Sequence, residues 1–347
     1  MPSAAIDTFF ACTLIISVAL IATASLTATM QTNINNLQGL NQQSYLRTTA
    51  EQIVTSYGAP VDWGSSGMTP DSFGLAQVGG SQAYALDVDK ICRLNSRSSS
   101  PISYQEASNA ARLNSIAFGI SVTQMLAITV EPTGNTTVDE TTTYNFKVSV
   151  RANLEPTKAN LNCYIIARGT VSNVSGATSN AGIGYVSFQL PSSSSDQVLL
   201  VVFARATIDE RLTAFETYAF PHLSGEVLSN QTVLDLRALN NKLSVNMNFP
   251  NATVDECYAF SYAYQSQPTL ISSGIYAIPE FVDKSPIVLV ATGFNEGTYF
   301  AEWTAYPTVP LSFGSDFANT EQNTFVYTVI IKDALYKLTV TLGEVTK

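Results

Sequence analysis

Two kinds of periodicity divide the chain. From Ala4 to Met30 apolar residues run almost unbroken, with Asp7 as the single charge. At ~1.5 Å per residue a helix of that length reaches about 40 Å, enough to cross a bilayer. The following segment keeps helical spacing, and Leu46, Ala50, Ile53, Val54 and Tyr57 fall on one face. Gly58, with Pro60 two residues later, supplies a stop signal. The pattern predicts one helix over 1–58, apolar on all sides over 4–30 and amphipathic over 31–58.

Residues 59–122 read as a connector with short helices. APVDWGSSGMTPDSFGLAQVGG is rich in Gly, Pro and Asp, whereas LDVDKICRL at 86–94 has helical character. Ser103 and Glu106 form a capping-box pattern before a second short helix ending near Leu113. Trp63 and Phe73 are expected to close a small core against the long helix. An adhesive or subunit contact is the alternative for them.

From Met125 the period changes to two. Tyr144, Phe146, Val148 and Val150 alternate with polar residues, as do Leu243, Val245, Met247 and Phe249. KVSV at Lys147, KLSV at Lys242 and KLTV at Lys337 are spaced 95 residues apart. Asn162-Cys163-Tyr164 is echoed by Glu256-Cys257-Tyr258, and AFETYAFP at 214–221 by FAEWTAYP at 300–307, each after an apolar run, VLLVVFA or IVLVA. These matches in one order indicate an internal duplication. The fold expected is α+β: the N-terminal helix, the connector, and two tandem antiparallel Ig-like β-sandwich modules at 123–228 and 229–347. The hairpin FVYTVIIKDALYKLTVTL at 325–342 either closes the second module or leaves an edge that pairs elsewhere.

Composition narrows the functional classes. Only 13% of the 347 residues are charged and the net charge is −10, so a nucleic-acid partner is disfavoured for want of Lys and Arg. Ser, Thr, Asn and Gln take the place of charge on the surface. Sequons at Asn135, Asn173, Asn230 and Asn251 are glycosylation candidates. Cys12 lies in the apolar stretch, and Cys92, Cys163 and Cys257 show no metal-ligand spacing. Cys163 and Cys257 occupy equivalent places in the repeats. They are read either as a disulfide or, because equivalent strands of separate modules lie far apart, as two buried thiols.

Catalytic chemistry is not legible. His222 is the single histidine, which argues against a His-based triad or a multi-His metal site. DVD at 87–89 and Asp209-Glu210 could bind a cation weakly, but solvated turn carboxylates are the commoner reading of such a pattern. Glu216 and Glu302 are equivalent carboxylates of the two repeats, and a glycosidase pair is disfavoured because duplication places them in different modules. Neither an enzymatic activity nor a cofactor is expected.

The long helix, with an apolar half and an amphipathic half, resembles the spine helix of type IV pilins and of the related archaeal adhesion pilins and archaellins. The similarity covers residues 3–58. The order YGAP-x-x-W, FGLA, Leu-Asp-x-x-Lys helix adds a resemblance to archaeal pilin-like surface proteins. It implies a filament-core helix carried by Asp7, Phe9, Phe10, Leu14, Ile15, Ile16, Val18, Leu20 and Ile21. Counted from Ser3, Asp7 holds the fifth position where that family carries an acidic residue. Asp7 reads either as a helix-dipole residue at an interface or as a buried partner for a neighbour's N-terminal amine. The function expected on this resemblance is a structural, glycosylated subunit of an extracellular filament for cell adhesion. It would be a helical homopolymer whose subunits are membrane-inserted before assembly, with glycans or surface receptors as outer partners. The alternative is a membrane-anchored monomeric surface protein that binds through its β-rich part.

Overall fold

The computed structural model describes residues 3–80, 82–113, 116–193, 196–280, 283–315, 317 and 322–344. Two compact units emerge, Met1–Glu51 and Gln52–Lys347. The first is made by helix α1 (Ser3–Thr55), which continues for one turn into the second. There Ile53 and Val54 are buried while Tyr57 is exposed. The helix stops ahead of Gly58, whose φ of +71° suits glycine, and a Cβ at that position would lie 2.6 Å from the Ser72 carbonyl oxygen.

The connector folds around Trp63. Helices α2 (Trp63–Ser66), α3 (Val88–Arg93) and α4 (Tyr104–Ala111) are short. The buried indole N–H of Trp63 donates to the Gly74 carbonyl at 3.1 Å, and its ring lies 5.7 Å from Phe73, which in turn meets Phe118 at 6.0 Å. Asp87 caps α3 by accepting from the N–H groups of Asp89 and Lys90. Lys90 is fully buried, and its ammonium donates to the carbonyls of Tyr57 and Ala76, both at 2.9 Å. Arg93 donates to the carbonyls of Trp63, Met68, Gly67 and Ser100. Two cations thus tie irregular backbone together, satisfying carbonyls that have no strand partner. The capping box of α4 forms between Ser103 and Glu106.

Among the described residues twenty strands, numbered in chain order, build five four-stranded antiparallel sheets. One has the order β18 (Leu311–Gly314), β1 (Ile116–Gln124), β20 (Ala334–Glu344), β19 (Gln322–Ile331). A second contains β2 (Leu126–Val138), β3 (Thr141–Ala152) and β4 (Glu155–Pro156), with β7 (Ile183–Pro191) also paired to β3. A third runs β6 (Thr170–Ala177), β5 (Ala159–Ala167), β8 (Gln197–Ala206), β9 (Thr213–Pro221). A fourth runs β13 (Gln265–Ser266), β12 (Ala252–Phe260), β16 (Ile287–Asn295), β17 (Thr298–Tyr306). The fifth runs β10 (Leu234–Leu239), β11 (Lys242–Met247), β15 (Ile275–Ala277), β14 (Thr269–Ser272).

Strand β8 explains how the sheets stack. Val198, Leu200, Val202 and Ala204 enter a core with Phe146, Val148 and Val150 of β3. The intervening Leu199, Val201 and Phe203 enter a different core with Phe260 of β12 and Val288 and Val290 of β16. The sheet that contains β8 is therefore buried on both faces, as the unbroken run VLLVVFA requires. Ile287, Leu289 and Ala291, which alternate with Val288 and Val290, are buried as well.

The fold differs from the expected α+β arrangement with two tandem Ig-like modules. Among the described residues it is mostly β, and the sheets are layered through a shared central sheet. The physical reason is that duplication preserved the apolar runs but not independent cores: β8 has no polar face left to present to solvent. The repeated KVSV, KLSV and KLTV segments recur as the second strand of three hairpins, β2–β3, β10–β11 and β19–β20, each in its own sheet. The third hairpin pairs with β1, which precedes the first repeat.

The pilin-like reading is corrected along with the fold. Strands dominate, and among the described residues no helix is long and apolar enough to cross a membrane. Ala22-Thr23-Ala24-Ser25 and Thr27-Ala28-Thr29 interrupt the larger apolar side chains of α1 with small and hydroxyl-bearing ones. A long helix with an apolar start is too general a pattern to specify pilins or archaellins.

Candidate functional site: an exposed apolar helix and capped sheet edges

Helix α1 presents apolar side chains to solvent in every direction. Phe9, Leu14, Ile16, Val18, Leu20 and Ile21 are each more than half exposed, Ile21 by 69%. At 100° per residue these six cover about 200° of the circumference, and Leu26 and Met30, also more than half exposed, face the remaining sector. Four threonine hydroxyls are turned inward: Thr13 donates to the Phe9 carbonyl, Thr23 to Leu20, Thr27 to Thr23 and Thr29 to Ser25, at 2.8–3.0 Å. Each threonine then shows a methyl group outward, and the helix makes no demand on water for these groups. Asp7, Phe10 and Ile15 belong to α1, but their side chains, like that of Cys12, lie outside the described residues.

Residues singled out for chemistry serve the fold. His222 is buried with Nε2 2.9 Å from the Pro191 carbonyl and Nδ1 2.8 Å from the Tyr144 hydroxyl. A carbonyl can only accept, so Nε2 carries a proton and donates to Pro191. Glu302 is fully buried and accepts the N–H groups of Thr232, Val233 and Leu234 at 2.7–2.8 Å. Burial pushes its pKa up against the pull of those three donors. Glu216, its repeat counterpart, is exposed and accepts from the N–H of Thr217. Duplicated positions have taken different environments, and no shared carboxylate cleft forms. Asp89 accepts from the Tyr306 hydroxyl at 2.8 Å and the Asn240 N–H at 2.7 Å, with burial raising its pKa. Asp209 holds Arg211 through both carboxylate oxygens, and Glu210 pairs with Lys284.

The cysteines are separate. Cys92, Cys163 and Cys257 are free and buried. Cys163 belongs to the core between the β3 and β8 sheets, whereas Cys257 contacts the Tyr276 hydroxyl of β15. The Cys163–Cys257 disulfide considered from the repeat is therefore not formed. Burial pushes the thiols of Cys92 and Cys163 up to about 12 and that of Cys257 to about 11, so none is a ready nucleophile.

All four sequon asparagines are exposed, yet they differ. Asn230 uses its amide on the edge of β17: Nδ2 donates to the Trp303 carbonyl at 2.9 Å and Oδ1 accepts from the Trp303 N–H at 2.8 Å. On β9 the same device recurs, with Gln124 bridging both main-chain groups of Phe215 at 3.1 and 2.7 Å. Gln197 donates to the Ala301 carbonyl at 3.0 Å. Side-chain amides so occupy two sheet edges that would otherwise be open to pairing. These capping residues are separated in sequence from what they cap by about 70–105 positions, and no local signal marks them.

One cleft of about 840 Å³ is lined by Arg205, Glu210, Glu280, Asp283, Lys284 and Lys332 among others. Four of its charges are engaged: Lys284 pairs with Glu210, and Arg205 sits beside Asp283 and over the Tyr262 ring.

No family model matches the chain, and no curated protein matches it. Among solved structures it is similar to HBP35 of Porphyromonas gingivalis, at 11% identity and a TM-score of 0.19, over 52% of this chain and 63% of that one. A likeness so remote carries no argument about fold or function. Nothing in these comparisons restores the pilin resemblance.

Proposed function

We propose that the chain is a non-catalytic structural protein of the cell exterior that self-associates through the apolar part of α1. The observation behind this reading is the apolar exposure of Phe9, Leu14, Ile16, Val18, Leu20 and Ile21, completed around the helix by Leu26 and Met30, with the hydroxyls of Thr13, Thr23, Thr27 and Thr29 satisfied internally. A helix apolar on every side needs neighbours on every side. Burying six such side chains contributes roughly 9–18 kcal/mol per copy at about 1.5–3 kcal/mol each, comparable to the cost of immobilising a subunit. Several copies of α1, packed together, supply those neighbours. The exposed sequon asparagines Asn135, Asn173 and Asn251 suit an outer surface that is wetted by amides, hydroxyls and sugars more than by charge.

The test is detergent removal from the purified full chain, followed by sedimentation and negative-stain microscopy. Regular assemblies are expected from the parent, and Ile16→Lys or Leu20→Asp should abolish them while leaving the β spectrum of the protein intact. Assemblies unchanged by both substitutions would overturn the proposal. Transfer of a monodisperse parent into phospholipid vesicles, with no assembly in their absence, would favour membrane anchoring of a monomer instead.

A further inference from the structure

We propose that the cleft shared by the outer edges of β10 and β17 binds an acidic sugar: a single uronic-acid unit, with one carboxylate and several hydroxyls. The cleft measures about 180 Å³ and is lined by Arg97, Gln231 and Arg237 together with Leu236, Ala238 and Ala305, among others. Sites for drug-sized ligands run to roughly 300–1,000 Å³, so this one takes a small unit.

The main chain opens the cleft to hydrogen bonding. On β10 the Leu234 N–H turns outward to Glu302, and just past the strand the Asn240 N–H turns to Asp89. Main-chain groups alternate in direction along a strand, so Leu236 and Ala238 also turn theirs away from β11. On β17, Asn230 holds both outward groups of Trp303, which puts those of Ala305 on the same side. The Ala305 carbonyl accepts from the Thr308 hydroxyl at 3.1 Å. Among the described residues, no protein group bonds the Ala305 N–H or the outward N–H and carbonyl groups of Leu236 and Ala238. All three residues are buried, where main-chain polar groups are nearly always paired.

Ligand chemistry follows from what these groups require. The N–H groups need acceptors and the carbonyls need donors, and a hydroxyl supplies both. The side chains select an anion. Among the described residues no carboxylate lines the cleft. Arg97 is exposed and donates from Nη1 to Gln231 at 2.7 Å, while Arg237 pairs with Asp235 and keeps a buried Nε without a hydrogen-bond partner. On a chain of net charge −10 this is a local exception, and a planar guanidinium suits a carboxylate. A strand of acidic peptide fits less well, because Glu302 and Asp89 close the β10 edge on either side and leave only Leu236 and Ala238 between them. The site involves no part of α1 and goes beyond the self-association proposed above.

Saturation-transfer NMR on the full chain reads ligand binding whatever the assembly state of α1. Glucuronate is expected to bind, with glucose and acetate at least tenfold weaker, because each supplies only part of the chemistry. Arg97→Gln and Arg237→Gln should each weaken glucuronate at least fivefold. Arg151→Gln, at an exposed arginine outside the cleft, should leave it unchanged. Arg97 is exposed, so its variant decides the matter if Arg237→Gln perturbs folding. No binding of glucuronate, or glucose or acetate binding as tightly, would overturn the proposal, as would binding indifferent to both arginine substitutions. Stronger binding of acetyl-glycyl-aspartyl-glycinamide would also overturn it, in favour of an acidic peptide. None of these results bears on assembly through α1, which Ile16→Lys tests separately.

Discussion

The carboxamide of Asn230 pairs with both main-chain groups of Trp303, at 2.9 and 2.8 Å, and so behaves as a one-residue strand laid along the edge of β17. Because Nδ2 is the atom a glycan would be joined to, the contact sets Asn230 apart from the other three sequons. In a glycosylating host, glycopeptide mass spectrometry should find sugar at Asn135, Asn173 or Asn251 and none at Asn230. Replacing Asn230 by Ala removes two hydrogen bonds at a site water can reach, and should cost about 1 kcal/mol by denaturant unfolding.

The shared central sheet makes a claim that tandem sandwiches would not. Leu199 and Leu200 are adjacent, both essentially inaccessible, and serve different cores. Each single change to Ala should destabilise by about 2–5 kcal/mol, because each leaves a cavity in packed surroundings. An exposed outer face would make one of the two nearly neutral. Chemical denaturation of both variants decides between the arrangements.

Gly293 lies opposite the irregularity between Val254 and Glu256, where β12 shifts register against β16. A Cβ there would sit 1.8 Å from the Thr253 carbonyl oxygen and 2.9 Å from the Phe300 ring. Gly293→Ala should therefore cost about 3 kcal/mol or more, as overpacking against backbone does. Gly297 meets no atom within 4 Å but has a φ of +84°. Its change to Ala should cost only the left-handed strain, about 1–2 kcal/mol. Melting curves of the two variants should separate clearly.

Asp89 gives the fold a pH dependence of definite sign. Burial raises its folded-state pKa above the ordinary value of 3.8, so the folded state binds its proton more readily than the unfolded state. Its contribution is therefore fully present below the unfolded pKa and is lost as pH rises through the raised folded value. Asp89→Asn keeps an oxygen for Tyr306 and Asn240 but cannot titrate. Across thermal melts from mildly acidic to neutral pH, the parent should lose stability relative to this variant as pH rises. A parallel pair of curves would contradict the assignment.

Much of the local structure was written in the chain. Gly58 and Pro60 announced the end of the long helix, Ser103 and Glu106 the cap of α4, and alternation in Tyr144–Val150 the half-buried β3. The apolar encirclement of α1 from Phe9 to Met30 was equally legible, because it depends only on residue type and helical pitch. The runs VLLVVFA and IVLVA were legible as apolar strands that need cover. They could not say by what, since the apolar effect is non-directional and any apolar sheet satisfies it. Tertiary structure chose one shared sheet over two modules, put Cys163 and Cys257 into separate cores, and gave Glu216 and Glu302 opposite environments. It also brought Gln124 to Phe215 and Asn230 to Trp303. Periodicity fixes which way a side chain faces along its own strand; the partner across the gap depends on distant segments that only the folded chain brings together.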